Sequence, residues 1–418
     1  MANNKKNIAE FSSTDLKTIN DIIRNLGKTE REEIFKKKCK NTQYHDGIIS
    51  KVATKNGSVF ELKSVEEIET RYQEVLNDSR NKEKNDQKSA EGNYFPSSSI
   101  ASYKDIIIKY AIAKSIEDKL KGISLTRQTI YYGSPGCGKS RKVKDILENI
   151  KEDYKFRTTF HPDCDYYNFV GAYKPRKDNN GSITYDFSPQ VFTKAYIKAW
   201  INQCEPIFLI IEEINRGNCA QIFGDLFQLL DRDGDGYSEY PIKADEDLMS
   251  YVKTNCKNPA AYSNDELRLP PNLYIVATMN TSDQSLFPMD SAFKRRWAWK
   301  YVPIDYTNAV SGSFKIKIGG KDRGWHDFLK KINAKIYKVT NSEDKMLGNF
   351  FIKSSIDEED FVDKVMFYLW NDVLKLEYAS GNDYFFKKED DSKFKFSDLY
   401  DSNTRTSTLE SFMKYLGL

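Results

Sequence analysis

The octapeptide from Gly133 to Ser140 has the residue types and spacing of a phosphate-binding loop. It fits the pattern G-x-x-x-x-G-K-[ST]. Glycines let a backbone approach an anion closely, and amide N–H groups at a helix N-terminus attract phosphate. We expect Lys139 to reach the β- and γ-phosphates of a nucleotide and the Ser140 hydroxyl to bind Mg²⁺. The predicted nucleotide-binding residues are Gly133, Ser134, Pro135, Gly136, Cys137, Gly138, Lys139 and Ser140.

The segments on either side of this loop support the interpretation. Residues 128–132 have the apolar and β-branched pattern of a buried strand, and residues 140–147 have the pattern of a helix. Strand, glycine loop and helix form the context in which this motif binds phosphate. The alternative is a Gly-Pro-Gly turn that precedes Lys-Ser by chance, and the later motifs argue against it.

A second motif follows an apolar strand at residues 206–211, which ends in Glu212 and Glu213. Phosphoryl transfer requires carboxylates at the carboxyl end of a buried strand, one for Mg²⁺ and one for the attacking water. We assign Glu212 to the metal and Glu213 to the water. Many such sites have Asp at the metal position, so Glu212 is a departure from the usual pattern.

Polar residues further along could complete the site. Asn280 follows a strand at 273–278, where it would contact the attacking water or the γ-phosphate, although a turn that caps the next helix is the alternative. Arg295 and Arg296 end a short helix, and the permanent charge of arginine suits a developing phosphate charge. Either arginine could instead form a surface ion pair, and the sequence does not choose between the two.

The arrangement of predicted elements indicates an α/β fold with a parallel sheet sandwiched by helices. Its strands are predicted at 129–132, 155–159, 207–212, 273–278 and 297–302. We predict a small, mainly helical N-terminal region at 1–76, a polar linker at 77–99, a nucleotide-binding domain at 100–305, and a helical lid with the C-terminal region at 306–418. Predicted lid helices occupy 325–337 and 361–376.

Composition limits the remaining functions. The chain has 418 residues and a net charge of +3, so its overall charge does not indicate a nucleic-acid binder. Six dispersed cysteines and three histidines do not suggest a zinc site, and no apolar run reaches the length of a membrane span. We expect a soluble, cytoplasmic protein. The segment 231–237 resembles a calcium loop, but Ile242 stands where a bidentate Glu is needed, so we predict a polar turn.

These motifs together resemble the AAA+ ATPases, and two segments resemble the McrB branch, the motor subunits of 5-methylcytosine-specific restriction systems. The segments are 213–218 (Glu-Ile-Asn-Arg-Gly-Asn) and 279–285 (Met-Asn-Thr-Ser-Asp-Gln-Ser), of which Met-Asn-Thr-x-Asp is the more specific. The resemblance covers about residues 100–380. Gln284 stands where the branch often has Arg, and the lid segment 348–351 follows the branch only loosely. The N-terminal 76 residues do not resemble the methylated-DNA-binding domain of that branch.

The resemblance implies a ring, expected to be a hexamer, that hydrolyses ATP or GTP with Mg²⁺ as cofactor. It also implies a McrC-like endonuclease as partner and contact with DNA through the complex. The residues do not decide between GTP and ATP. The alternative functions are a MoxR-type or dynein-related AAA+ ATPase that remodels a protein partner, and a scaffold that binds nucleotide without hydrolysing it.

Overall fold

A computed structural model of the protein describes residues 11–39, 58–77, 96–177, 183–281, 287–374 and 385–418. Residues 78–95 of the predicted linker 77–99 lie outside this set, whereas residues 96–99 form the first turn of a helix. The described strands are β1 Gln128–Gly133, β2 Lys155–Thr159, β3 Gly171–Lys177, β4 Ile183–Pro189, β5 Ile207–Glu212, β6 Ile242–Lys243, β7 Glu266–Leu267, β8 Leu273–Asn280, β9 Ala298–Tyr301, β10 Lys315–Ile318 and β11 Lys321–Gly324.

The described α-helices are numbered in chain order from the N-terminus. They are α1 Ser13–Asn25, α2 Lys28–Lys38, α3 Val65–Asn77, α4 Pro96–Lys119, α5 Lys139–Ile146, α6 Tyr166–Phe169, α7 Val191–Ile201, α8 Cys219–Phe223, α9 Glu246–Asn255, α10 Ser291–Lys294, α11 Ala309–Gly312, α12 Trp325–Thr340, α13 Glu358–Asp360 and α14 Arg405–Tyr415. None of the helices in the described part of the chain combines the length and the apolar character needed to cross a membrane.

Five strands form the central sheet, in the order β2-β5-β8-β1-β9, and every neighbouring pair is parallel. The five predicted strands are confirmed. Strand β5 is buried from Ile207 to Ile211, as expected for a strand that is covered on both faces. The register aligns Gly133 with Asn280 and Thr159 with Glu212, so polar residues meet at the carboxyl edge of the sheet. A site at this edge takes side chains from adjacent strands.

The two faces of the sheet are covered by different layers. On one face, Phe192, Tyr196 and Trp200 of α7 share an apolar cluster with Leu209 and Ile211 of β5. The opposite face packs against α4 and α5, and the N-terminal helices α1 to α3 belong to the same cluster. This sandwich confirms the predicted α/β fold.

Helix α1 is attached to the nucleotide-binding domain by a buried polar contact. Asp15 accepts hydrogen bonds from the backbone N–H groups of Gln203 and Cys204, at 2.9 and 3.0 Å. In the same region the Glu67 N–H donates to the Ser64 hydroxyl at 3.1 Å, which caps the N-terminus of α3. The N-terminal helices therefore share both apolar and polar contacts with the sheet domain, and the boundaries of the predicted domains stay a prediction.

The C-terminal region has a separate apolar cluster, whose buried members run along the chain from Phe314 to Leu416. Helix α12 lies where a lid helix was predicted. Residues Phe361–Met366 and Leu369–Leu374 form π-helical turns, with Phe361, Val365 and Leu369 buried. The antiparallel hairpin of β10 and β11 was not predicted.

A second unpredicted hairpin joins β3 to β4 outside the central sheet. Its strands pair over their whole described lengths, and most of its residues are exposed. The sequence shows no strand signal here, because alternation of apolar and polar residues is weak when both faces of a ribbon meet solvent.

Candidate active site

The phosphate loop connects β1 to α5, as the sequence predicts. Gly136 and Gly138 have φ angles of 75° and 94°, in the left-handed region where residues with a Cβ are strained. Gly138 is the residue that precedes the first turn of α5. The backbone N–H groups of that first turn have no partner within the helix, and they are suited to bind an anion.

The ammonium group of Lys139 lies within this loop. Its Nζ donates hydrogen bonds to the carbonyl oxygens of Gly133 and Ser134, at 3.0 and 2.9 Å, and the residue is buried. These carbonyls accept hydrogen bonds from the ammonium group, because a buried ammonium group without a partner is costly. Phosphate oxygens offer the same group a charged acceptor, which makes stronger hydrogen bonds.

The two predicted metal ligands lie in contact with each other. The Ser140 hydroxyl donates to Oε2 of Glu212 at 2.7 Å. A hydroxyl and a carboxylate are oxygen ligands of the kind that Mg²⁺ takes, and Mg²⁺ usually needs only one or two protein ligands beside phosphates and water. The donor set therefore fits Mg²⁺, and the longer side chain of Glu212 still reaches Ser140.

Two further residues bind the Glu212 carboxylate, and the sequence analysis did not find them. The Thr278 hydroxyl donates to Oε2 at 2.5 Å, and the Arg157 guanidinium forms an ion pair with Oε1. Thr278 interrupts the apolar pattern of the buried strand β8 near its carboxyl end, and a polar residue at that position was the signal available in the sequence. Arg157 lies among polar residues in the edge strand β2, where the sequence offered no such signal.

Glu213 lies in the turn that follows β5, and Asn280 orients it. Its φ and ψ angles of 54° and 49° are left-handed, an uncommon conformation for a residue that is not glycine. The Asn280 Nδ2 group lies 2.9 Å from Oε1 and 2.8 Å from Oε2 of Glu213. The backbone oxygen of Asn280 in turn accepts from Nδ2 of Asn215 at 2.7 Å. The predicted water-activating carboxylate is therefore held by the predicted polar residue of the adjacent strand.

The structure places the two candidate arginines in different surroundings. Arg296 forms an ion pair with Asp231 at 2.6 Å, and its side chain is only 9 % exposed. Its guanidinium also lies 4.0 Å from the ring centre of Phe227. Arg295 is exposed, so its side chain is accessible to another molecule. The segment with the calcium-loop pattern therefore supplies a carboxylate to Arg296, and its Asp233 pairs with Arg268 at 2.7 Å.

A segment of the C-terminal region contacts the back of the phosphate loop. The N–H groups of Gly348 and Phe350 donate to the carbonyl oxygens of Pro135 and Gly136, both at 2.8 Å. A Cβ on Gly348 would lie 2.1 Å from the backbone nitrogen of Cys137, so glycine is required at this close approach. We call residues 348–351 the lid strap. Its backbone contacts connect the phosphate loop to the C-terminal region.

Known proteins are similar to this chain in the sequence that forms the site. The AAA domain profile of the dynein-related subfamily matches residues 128–297, which include all of the predicted catalytic, metal-binding and phosphate-loop residues. The chain is 38% identical over 282 residues to the type II restriction enzyme BsuMI component YdiS of Bacillus subtilis (strain 168), with 60% of this chain and 80% of that protein aligned. It is 30% identical over 250 residues to the type IV methyl-directed restriction enzyme EcoKMcrB subunit of Escherichia coli (strain K12), covering 57% of this chain and 48% of that protein.

The chain belongs to the McrB-like AAA+ proteins. As a member of this family, it is a restriction-related nucleoside triphosphatase of the AAA+ class. The prediction of the family from the phosphate loop, the acidic pair and the two short segments is confirmed. The aligned part spans about half the length of the Escherichia coli McrB subunit, so what the rest of that protein does is not carried over.

Proposed function

We propose that this McrB-like protein hydrolyses ATP or GTP in a Mg²⁺-dependent reaction and uses it to drive a partner endonuclease on DNA. The observation that supports hydrolysis most is the pairing of Ser140 with Glu212 and of Asn280 with Glu213 on adjacent strands beside the phosphate loop. A protein that only bound nucleotide would not need a carboxylate oriented for an attacking water.

Each residue has a role that its position allows. Lys139 exchanges its loop carbonyls for the β- and γ-phosphates. Ser140 and Glu212 would hold Mg²⁺, which when bound neutralises charge on the phosphates. Glu213 orients the attacking water and accepts its proton, while Asn280 fixes the direction of the Glu213 carboxylate.

The exposed arginine is our candidate for a group that acts between subunits. Because Arg296 is used in the ion pair with Asp231, Arg295 is better placed to contact the γ-phosphate bound by a neighbouring copy. An arginine supplied by another subunit contributes about 10³–10⁵ in rate in other phosphoryl-transfer enzymes. We therefore propose a ring, a hexamer by family resemblance, with one nucleotide at each subunit interface.

The restriction context favours a nuclease partner over a remodelled protein. Both relatives carry the names of restriction enzyme components. The partner proposed is a McrC-like endonuclease, and the contact with DNA is made by the complex. The phosphate loop and carboxylates contact only phosphates and metal, so the choice between ATP and GTP lies with residues outside this set.

Turnover of ATP and GTP by the full chain and by Glu213→Gln tests the catalytic proposal. We expect the variant to bind nucleotide within a few-fold of wild type and to lose at least about 100-fold in hydrolysis. Glu148→Gln is the matched control, since Glu148 is exposed after α5. Wild-type turnover by Glu213→Gln would refute the assignment of Glu213, and binding without turnover by the wild-type ring with DNA and partner would favour the scaffold alternative.

A further inference from the structure

The β3–β4 hairpin exposes an unusual set of side chains. Residues 173–177 of β3 and 183–186 of β4 are all exposed. Among them, Tyr173 is 49 %, Ile183 66 % and Tyr185 67 % exposed, and Tyr167, just before the hairpin, is 63 % exposed. Large apolar surfaces that cluster in this way mark binding sites more often than single exposed residues do.

Pairing within the hairpin divides these residues between two sides. Tyr173 pairs with Phe187 and Pro175 with Tyr185, and side chains that pair lie on the same side of a ribbon. The alternate pairs place Lys174 opposite Asp186 and Arg176 opposite Thr184. The hairpin therefore presents Tyr173, Tyr185 and Lys177 on one side, and Lys174 and Arg176 on the other.

The base of the hairpin packs against the domain, and Tyr173, Arg176 and Asp186 line a cavity shared with α9. The Phe187 ring lies 5.1 Å from the ring of Tyr251 on α9, and 6.2 Å from the ring of Tyr173. A Cβ on Gly171 would lie 2.6 Å from the Phe187 ring, so the backbone at the start of β3 packs closely against that ring. An isolated two-stranded ribbon has little stability in water, and the packed base positions its exposed outer part.

The charge of the hairpin favours a polyanion over a protein surface. In the sequence, residues 171–189 carry three basic side chains, Lys174, Arg176 and Lys177, and two acidic side chains, Asp178 and Asp186. The cores of protein–protein interfaces are depleted of lysine, whereas binding of nucleic acid combines basic groups for phosphates with aromatic rings that stack on bases. A two-stranded ribbon also fits the major groove of B-DNA.

We propose that the β3–β4 hairpin is a DNA-binding element of this protein. Lys174, Arg176 and Lys177 contact phosphates, while Tyr173 and Tyr185 contact bases or sugars. The proposal rests on the proposed function in one respect, that the assembly acts on DNA, and it assigns that contact to this chain as well as to a partner.

The test measures binding of a fluorescent 30-base-pair duplex and of its single strand by anisotropy at several salt concentrations, with a non-hydrolysable nucleotide present. The variant reverses the three charges (Lys174→Glu, Arg176→Glu and Lys177→Glu), and the matched control reverses the charges of exposed lysines in the C-terminal region (Lys330→Glu, Lys331→Glu and Lys353→Glu). We expect the hairpin variant to bind at least about tenfold more weakly, with a salt slope reduced by about 2–3 for duplex DNA.

The outcomes separate this proposal from the proposed hydrolysis. Nucleotide turnover without DNA should be unchanged in both variants, and Tyr185→Ala should weaken DNA binding by several-fold without changing the salt slope. Equal DNA affinity of wild type and hairpin variant, an equal loss in the control, or the lack of DNA binding by wild type would each overturn the hairpin proposal. Loss of oligomers in the hairpin variant, measured by sedimentation, would overturn it in favour of a contact between copies of the chain.

Discussion

The side-chain amide of Asn280 contacts both carboxylate oxygens of Glu213, at 2.9 and 2.8 Å, across the boundary between two strands of the sheet. An amide in this position fixes the plane of the carboxylate. The pair thereby links the end of β8 to the turn after β5, and the left-handed backbone of Glu213 directs its side chain to this partner. A carboxylate with a fixed direction can orient a water better than one that rotates.

Asn280→Ala should therefore lower hydrolysis and leave binding almost unchanged. We expect kcat to fall by about 100-fold, because Glu213 loses the donor that orients it. The affinity for a fluorescent nucleotide should change by less than about threefold, since the phosphate loop is intact. Steady-state turnover and equilibrium titration measure the two effects, and a variant with wild-type turnover would show that the amide is not needed.

Lys139→Ala should abolish nucleotide binding. The ammonium group is buried against two loop carbonyls, and its replacement removes the charge that phosphates would neutralise. We expect affinity to fall by at least about 100-fold, as measured by calorimetric titration. Lys142→Ala is the matched control on the same helix, since Lys142 is exposed. Equal loss in both variants would mean that general positive charge, and not the position of Lys139, binds the nucleotide.

The sequence predicted the parts of the site that follow from strict spacing. Glycine loops and carboxylates at strand ends have fixed offsets from their strands, and the parallel register then brings Gly133 and Asn280 side by side. Arg157 and Thr278 were missed because their contact with Glu212 depends on which strands are neighbours. The order of strands is set by packing of the whole sheet, and no local pattern encodes it.

The contacts of the two arginines could not be predicted from the sequence either. Arg295 and Arg296 are adjacent in the chain, yet one is exposed and the other pairs with Asp231, 65 residues away. Similarly, the lid strap meets the phosphate loop through backbone groups, which every residue carries. Backbone contacts do not depend on residue type, so the sequence does not predict them, except where two backbones approach closely enough to require a glycine such as Gly348.

Gly348→Ala tests whether the lid strap supports the phosphate loop. The added Cβ would lie 2.1 Å from atoms of Gly136 and Cys137, so either the strap or the loop must move. We expect a loss of nucleotide affinity of about tenfold, because the loop is held in its binding conformation by the strap. Gly234→Ala is the control, since a Cβ there would meet no atom within 4 Å. Wild-type affinity in Gly348→Ala would indicate that the strap and loop act independently.

The thiols should differ in reactivity according to their burial. Burial raises the pKa of the Cys137, Cys204 and Cys219 thiols, so at pH 7.5 they carry less of the reactive thiolate than an exposed cysteine does. Cys39 is only partly buried. Iodoacetamide should therefore label Cys39 first in the native protein, as measured by mass spectrometry of peptides, and Cys39→Ser should remove the fast phase. Rapid labelling of Cys137 would contradict the burial of that thiol in the phosphate loop.

The arginine pair gives a prediction that separates stability from catalysis. Arg296→Ala leaves the Asp231 carboxylate without its partner in a largely buried site, and we expect the free energy of unfolding to fall by about 2–3 kcal/mol.

Arg295→Ala should leave the melting temperature unchanged and lower hydrolysis only in the assembled protein, by at least about 100-fold if it acts across an interface. Mixing Arg295→Ala with Glu213→Gln would then restore part of the turnover, because some interfaces combine an intact arginine with an intact carboxylate. Failure of the mixture to exceed either variant alone would contradict action between subunits.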